Sequence, residues 1–84
     1  MIEEKRKKDV LKRFGKRLSE LRKKQKLSLR KLSALCEVDH SDLKKYEDGM
    51  VAPTVVTIVD LASGLNVHPK ELLDFDLDPL KKDK

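Results

Sequence analysis

The sequence has little cysteine, few aromatic residues and no long apolar run. Its 84 residues include one cysteine, Cys36, no tryptophan, and aromatic side chains at 4% of positions. A single cysteine cannot form an internal disulfide. It also cannot build a zinc site with His40 and His68, which lie 28 positions apart. We therefore expect neither a structural metal nor a cofactor.

No stretch of the sequence approaches eighteen consecutive apolar residues, and the first residues lack the apolar core of a signal peptide. We therefore expect no membrane insertion and a cytoplasmic location. Asp74, Asp76 and Asp78 alternate as in a calcium loop, but no glycine or downstream glutamate completes that motif. Because no pattern pairs a nucleophile with a base, we do not expect an enzyme.

Charge is abundant and unevenly distributed. Twenty Lys and Arg against fifteen Asp and Glu give a net charge of +5, and 42% of residues are charged, well above the usual quarter. Residues 1–31 hold fourteen basic and four acidic side chains, whereas residues 32–84 hold six and eleven. A basic block of this size favours nucleic-acid phosphates or an acidic surface. The alternative is a well-solvated charged helix.

Apolar residues recur at steps of three and four, which predicts a single all-α domain with five helices. The predicted helices are 7–25, 29–36, 39–48, 55–65 and a fifth that begins at residue 69. Their predicted N-caps are Ser28, Asp39, Thr54 and His68. Asp42, three positions after Asp39, resembles the second half of a capping box.

Two glycines have a predicted role in this arrangement. Gly15 lies inside the first helix, where it indicates close packing against a neighbouring element. Gly49 is expected to end the third helix. In the last segment, Leu72, Leu73 and Phe75 are expected to close the core.

Two short helices joined by a tight turn, after a basic helix, form the outline of a helix-turn-helix. Residues 14–75 resemble the Cro and phage-repressor type domain, the XRE or lambda-repressor-like family. The matching stretches are 14–22, 27–28, 32, 38, 43, 46–49, 53–54, 61–62 and 65–67. The resemblance implies a helix-turn-helix at about 28–48 within a domain spanning 7–75. Residues 1–6 would be a basic extension and residues 76–84 a charged tail.

The resemblance also implies roles for individual side chains. Helix 39–48 would be the recognition helix, with His40, Ser41 and Lys45 on base edges in the major groove. Phosphate or positioning contacts would come from Leu29, Arg30, Asp39 and Lys44. Arg22 and Glu47 would form a structural ion pair. The positions expected to clamp the two central helices are Leu27, Leu32, Cys36, Val38, Leu43 and Tyr46.

Some positions depart from the family pattern. Leu29 stands where the family has a phosphate-binding glutamine. Glu37 stands where the turn usually has glycine, so it must adopt a left-handed backbone or the turn must be reshaped. Loop 50–54 carries no basic residue, which leaves phosphate attraction chiefly to the segment from Lys5 to Arg17.

Three functions are compatible with these features. The first is a sequence-specific DNA-binding regulator, expected to act as a homodimeric repressor on double-stranded DNA. The second is an antitoxin that binds a toxin protein, and the third is a protein-binding module of the same fold that does not recognise DNA. A partner-binding or homodimer patch would include Leu29, Met50, Val51, Val55 and Val56, although we expect at least half of these to be partly buried filler.

Overall fold

Four α-helices and one 3₁₀ helix make up the described part of the chain. The computed structural model describes residues 3–77. The elements are α1 Glu4–Lys24, α2 Leu29–Leu35, α3 His40–Glu47, α4 Val55–Leu65 and a 3₁₀ helix Pro69–Leu73. No strand occurs between residues 3 and 77, so the all-α class is confirmed.

The prediction of five α-helices is wrong for the fifth helix, which is a 3₁₀ helix. The segment after Pro69 closes with bonds between residues three apart, from the Glu71 N–H to the His68 carbonyl at 2.9 Å and from the Asp74 N–H to the Glu71 carbonyl at 3.4 Å. Five residues are too few to continue as an α-helix, and the tighter 3₁₀ form is common in such short pieces.

Three of the four predicted N-caps act through their side chains. The Ser28 hydroxyl accepts from the Lys31 N–H at 3.0 Å, and the Thr54 hydroxyl accepts from the Thr57 N–H at 3.1 Å. The Nδ1 atom of His68 accepts from the Lys70 N–H at 3.0 Å. Asp39 is the residue before α3, but its side chain makes no cap hydrogen bond, so the predicted capping box is wrong. Its exposed carboxylate is solvated instead.

The first helix begins three residues earlier than predicted. Glu4 opens α1, and Arg6, assigned above to an extension, lies in its first turns. The apolar period placed the start near residue 7, but no glycine or proline precedes Gly15 to stop the helix. Of the charged tail expected at 76–84, residues 78–84 lie outside the described part of the chain.

The core is a cluster of leucines with one phenylalanine and one alanine. Its buried residues are Phe14, Leu18, Leu21, Leu32, Leu43, Leu61, Ala62, Leu65 and Leu72. Each fully buried leucine contributes about 1.5–3 kcal/mol. Leu27, Leu29, Cys36, Val38, Tyr46, Ile58, Val67 and Phe75 pack around this cluster, partly buried.

Leu73, expected in the core, is 56% exposed. A 3₁₀ helix turns by about 120° per residue, so the burial of Leu72 rotates its neighbour out to solvent. Around this core, α1 packs against α3 and α2 lies between α3 and α4, while the 3₁₀ helix closes against α1 and α4.

Within residues 3–77 no helix is both long and apolar enough to span a bilayer. The same residues contain no group of three or more His, Cys, Asp or Glu side chains placed to hold a metal ion.

Candidate nucleic-acid interface

The turn between α2 and α3 is reshaped rather than left-handed. Positive φ angles occur, within residues 3–77, only at Lys26, Gly49 and Asn66. Glu37 therefore does not take the left-handed backbone that a glycine would supply. Instead, Cys36 is extended, with φ −141° and ψ 180°, and the Glu37 N–H donates to the Asp60 carboxylate of α4 at 2.8 Å.

Cys36 lies in this turn and not on the helix itself. It follows the last residue of α2 and is partly buried, and its thiol donates to the Leu32 carbonyl at 3.3 Å. Burial raises the pKa of the Cys36 thiol. A hydrogen bond with the Val38 backbone opposes that rise without cancelling it, and the negative charges of Asp60 and Glu37 add to it. The thiol is therefore held in its neutral, unreactive form.

The position of α3 is set by direct backbone contact with α1. A Cβ atom on Gly15 would lie 2.8 Å from the carbonyl carbon of Glu47 and would also collide with the Tyr46 carbonyl oxygen. The predicted close packing at Gly15 is confirmed, and the neighbour is the C-terminal end of α3. Leu43, near the middle of α3, is fully buried and anchors the inner side of the helix in the core.

Arg22 and Glu47 form a two-pronged ion pair at the same crossing. Nε of Arg22 lies 2.6 Å from one Glu47 oxygen and Nη2 lies 2.9 Å from the other. Both side chains are largely shielded, at 11% and 8% exposure. Hydrogen bonding to Glu47 raises the pKa of Arg22 and outweighs the lowering by burial.

A third bond of Arg22 was not anticipated from the sequence. Its Nη1 donates to the Leu27 carbonyl at 2.8 Å. One guanidinium thus joins α1, the segment before α2 and the end of α3. Because it satisfies donors that would otherwise be buried without partners, the network holds the two central helices in one orientation.

The predicted base-reading side chains lie at the exposed surface of α3. His40, Ser41 and Lys45 are all exposed, and Ser41 and Lys45 are one helical turn apart in the same row. Lys45 lies 4.0 Å from Asp42. Such an exposed pair contributes little, so the lysine can leave it for a stronger acceptor.

The residues predicted to contact phosphate differ in their exposure and in their partners. Lys44 is exposed and pairs with Asp48 at 3.0 Å, and Arg30 is exposed in the first turn of α2. Leu29 packs its side chain against the core. It can therefore offer a phosphate only its backbone N–H at the helix start, not its side chain. Asp39 is exposed beside α3, where its charge repels phosphate.

An apolar groove lies on the α4 side of the domain. Glu37, Thr57 and Asp60 line it together with four valines, which are Val38, Val55, Val56 and Val59. We call these four residues the valine groove. Val55 and Val56 are 76% and 78% exposed, and Met50 and Val51 are exposed as well. The expectation that at least half of the five apolar positions are filler is wrong, since only Leu29 packs inward.

One protein family and three known proteins are similar to this chain. The Helix-turn-helix family model HTH_3 matches residues 18–72. The HTH-type transcriptional regulator PuuR of Escherichia coli (strain K12) is 37% identical over 70 residues, which is 83% of this chain and 36% of PuuR. The chain thus spans about a third of the length of that relative.

Two solved structures have the same fold. The restriction-modification controller protein C.AhdI from Aeromonas hydrophila matches with a TM-score of 0.75 and 37% identity, over 77% of this chain and 94% of that protein. An HTH_3 family transcriptional regulator from Vibrio cholerae matches with a TM-score of 0.77 and 28% identity, over 80% of this chain and 38% of that protein.

Proposed function

The chain belongs to the helix-turn-helix family, and from that membership we propose that it is a DNA-binding transcriptional regulator that reads the major groove with α3. The proposal depends chiefly on the observation that α3 is held in a fixed position on the domain. Its exposed side chains project from a helix fixed by the contact at Gly15 and by the Arg22–Glu47 pair. A rigidly held helix in this motif is suited to sequence-specific contacts.

The exposed side chains of α3 have the chemistry for base edges. Lys45 can donate to guanine O6 and N7, and Ser41 can donate or accept. His40 can offer either ring nitrogen, depending on its tautomer. Lys44, Arg30 and the N–H groups at the start of α2 would bind phosphates and set the orientation of the domain on the duplex.

The valine groove supports dimer formation. Two copies that join through Val55, Val56 and Val59 would remove these exposed side chains from water. A two-fold dimer would place its recognition helices on half-sites about 34 Å apart. The proposed mechanism is repression by occlusion of a promoter, in the cytoplasm and without catalysis.

The same groove also favours a second candidate function. The exposed valines, which line the groove together with Glu37 and Asp60, could bind a protein partner, such as the toxin of an antitoxin pair. In that case the valine groove would be covered by the partner and not by a second copy.

The test is selection of a random-sequence duplex pool by the purified protein at two salt concentrations, followed by sequencing of the retained DNA. A two-fold symmetric motif with half-sites near 10 base pairs apart supports the dimeric regulator. Retention without a motif argues against sequence-specific reading. No retention at either salt concentration transfers support to the protein-binding candidate.

A further inference from the structure

The first helix extends well beyond the core that it helps to build. Phe14 is its first buried residue, so ten residues, from Glu4 to Arg13, precede the core. At 1.5 Å per residue they add about 15 Å of helix. This stretch lies before residue 18, where the helix-turn-helix family model begins to match.

Four lysines follow one face of this part of α1. Lys5, Lys8, Lys12 and Lys16 are spaced by three and four residues, and all four are exposed. We call them the lysine stripe. None of the four lies within 4.0 Å of a carboxylate among residues 3–77, as the ion pairs there involve other cations.

Two acidic groups of α1 are engaged by arginines on the adjacent face, whereas Glu4, one turn before Lys8, makes no ion pair within residues 3–77. Asp9 pairs with Arg13 at 3.1 Å, and Glu20 lies 4.0 Å from Arg17. Arg17 also pairs with Glu71 at 2.9 Å, and Arg13 donates to the Asp76 carbonyl at 2.7 Å. The arginines thus hold the end of the domain against α1, while no carboxylate within residues 3–77 pairs with the lysine stripe.

The lysine stripe is unfavourable for the helix itself. Like charges three and four positions apart destabilise a helix by about 0.2–0.5 kcal/mol per pair. The repulsion disappears when an anion lies along the stripe. The arrangement therefore fits a surface that binds a linear array of negative charge.

The stripe passes next to the end of the recognition helix. A Cβ atom on Gly49 would lie 3.0 Å from the Lys12 Cα, so Lys12 contacts the residue at which α3 gives way to loop 50–54. The eight residues of α3 are about 12 Å long, close to the width of a major groove. With α3 in a major groove, its C-terminal end and the adjoining Lys12 would face the backbone that borders the groove. Loop 50–54, which follows it, brings no basic residue.

We propose that the lysine stripe binds DNA backbone phosphates outside the bases that α3 reads, an inference that rests on the proposed function. Nucleic acid is favoured over an acidic protein because the stripe is linear and adjoins the recognition helix. Its contacts are independent of sequence. They add affinity and salt dependence without changing the motif.

The experiment compares two double variants that each remove two exposed positive charges. Lys8→Gln with Lys12→Gln alters the stripe. Lys24→Gln with Lys70→Gln is the control, with one change at the far end of α1 and one on the 3₁₀ helix. Glutamine has nearly the helix propensity of lysine, so all variants should fold, which thermal melting by circular dichroism checks.

Binding is measured on the duplex selected by the wild-type protein and on an unrelated duplex of equal length, between 50 and 200 mM salt. Loss of two phosphate contacts should flatten the plot of log affinity against log salt by about 1.8 units on both duplexes, since each contact contributes about 0.9. The control should change it by less than one unit. A stripe variant with the wild-type slope, or one no flatter than the control, overturns the proposal.

Different results would overturn the proposed function and the proposal for the lysine stripe. A selected motif together with an unchanged slope in the stripe variant leaves the regulator standing and overturns the stripe. Salt-sensitive retention without a motif, lost in the stripe variant, supports the stripe and overturns sequence-specific reading. Failure of the wild-type protein to retain any duplex overturns both and points to an acidic protein partner for this face.

Discussion

The Asp60 carboxylate on α4 accepts a hydrogen bond from the Glu37 backbone N–H at 2.8 Å, across 23 residues of sequence. The bond provides an acceptor for a turn amide and links the helix-turn-helix to the helix that carries the valine groove. A turn that would otherwise call for glycine is thus stabilised from outside itself.

Replacing Asp60 with alanine should therefore destabilise the fold. A hydrogen bond to a charged acceptor contributes about 1.5–3 kcal/mol, and partial exposure places the expected loss at the lower end. Urea denaturation measures it. Asp60→Asn retains an oxygen acceptor without the charge and should lose less. Equal stability of the alanine variant and the wild-type protein would show that water replaces the bond at no cost.

The Arg22–Glu47 pair should be strongly coupled. Glu47→Gln leaves the shielded guanidinium without its charge partner and should cost about 3 kcal/mol. The double variant Arg22→Met with Glu47→Met should be more stable than the less stable of its two single variants. A double-mutant cycle by denaturant unfolding measures the coupling. Additive losses would mean that the two residues act independently.

Gly15→Ala should destabilise the domain although alanine is the better helix former. The helix gains about 1 kcal/mol from alanine. Separation of α1 from the backbone of α3, however, costs about 1–3 kcal/mol and shifts the recognition helix. Thermal unfolding should show a lower Tm. Ser19→Ala, one turn further along α1, adds no atom and serves as the control. An unchanged or higher Tm for Gly15→Ala would contradict the close crossing.

The stability of the fold should decrease at alkaline pH through Cys36. The ordinary thiol pKa is 9.0, and in the folded chain it is raised by burial. The stability that the neutral Cys36 thiol contributes is therefore fully present below pH 9. It is lost as the pH rises through the pKa of Cys36 in the folded chain, because the thiol of the unfolded chain loses its proton at a lower pH. Denaturation of the wild-type protein and Cys36→Ala across this range isolates the effect from the lysines. Parallel pH profiles would contradict it.

Substitutions of Lys45 and Lys44 should have different effects on DNA binding. Lys45→Ala should relax the preference at one base position, at a cost of about 1–3 kcal/mol on the selected duplex. Lys44→Ala should weaken all duplexes equally and flatten the salt slope by about one unit. Binding to single-base variants of the selected duplex distinguishes the two. The same loss on every sequence from both changes would reject the assigned roles.

Local signals in the sequence predict much of this domain. Ser28, Thr54 and His68 are caps because their side chains reach N–H groups only two or three residues away. The leucine period identifies most of the core because burial follows the helical repeat. The close contact at Gly15 was predictable because glycine lowers the stability of a helix. Its presence inside α1 therefore indicates a neighbour that leaves no room for a side chain.

Features that depend on distant residues were not predictable in this way. Nothing near Glu37 in the sequence indicates that Asp60 accepts its N–H. The exposure of Val55 and Val56 depends on where α2 and α3 leave α4 uncovered. Leu73 was misplaced because it follows the buried Leu72 in a 3₁₀ helix, where adjacent side chains point about 120° apart. The base contacts themselves depend on a duplex that one chain alone does not contain.

The crossing of α1 and α3 at Gly15 is a contact of main chain with main chain. No side-chain rotamer separates the two helices, so thermal rotamer changes in the core cannot alter their spacing. Conservative changes among the core leucines other than Leu43 should lower the melting temperature while leaving the angle of the recognition helix unchanged. The stability of the domain and the angle at which the recognition helix is held can therefore vary independently, until the domain unfolds as a whole.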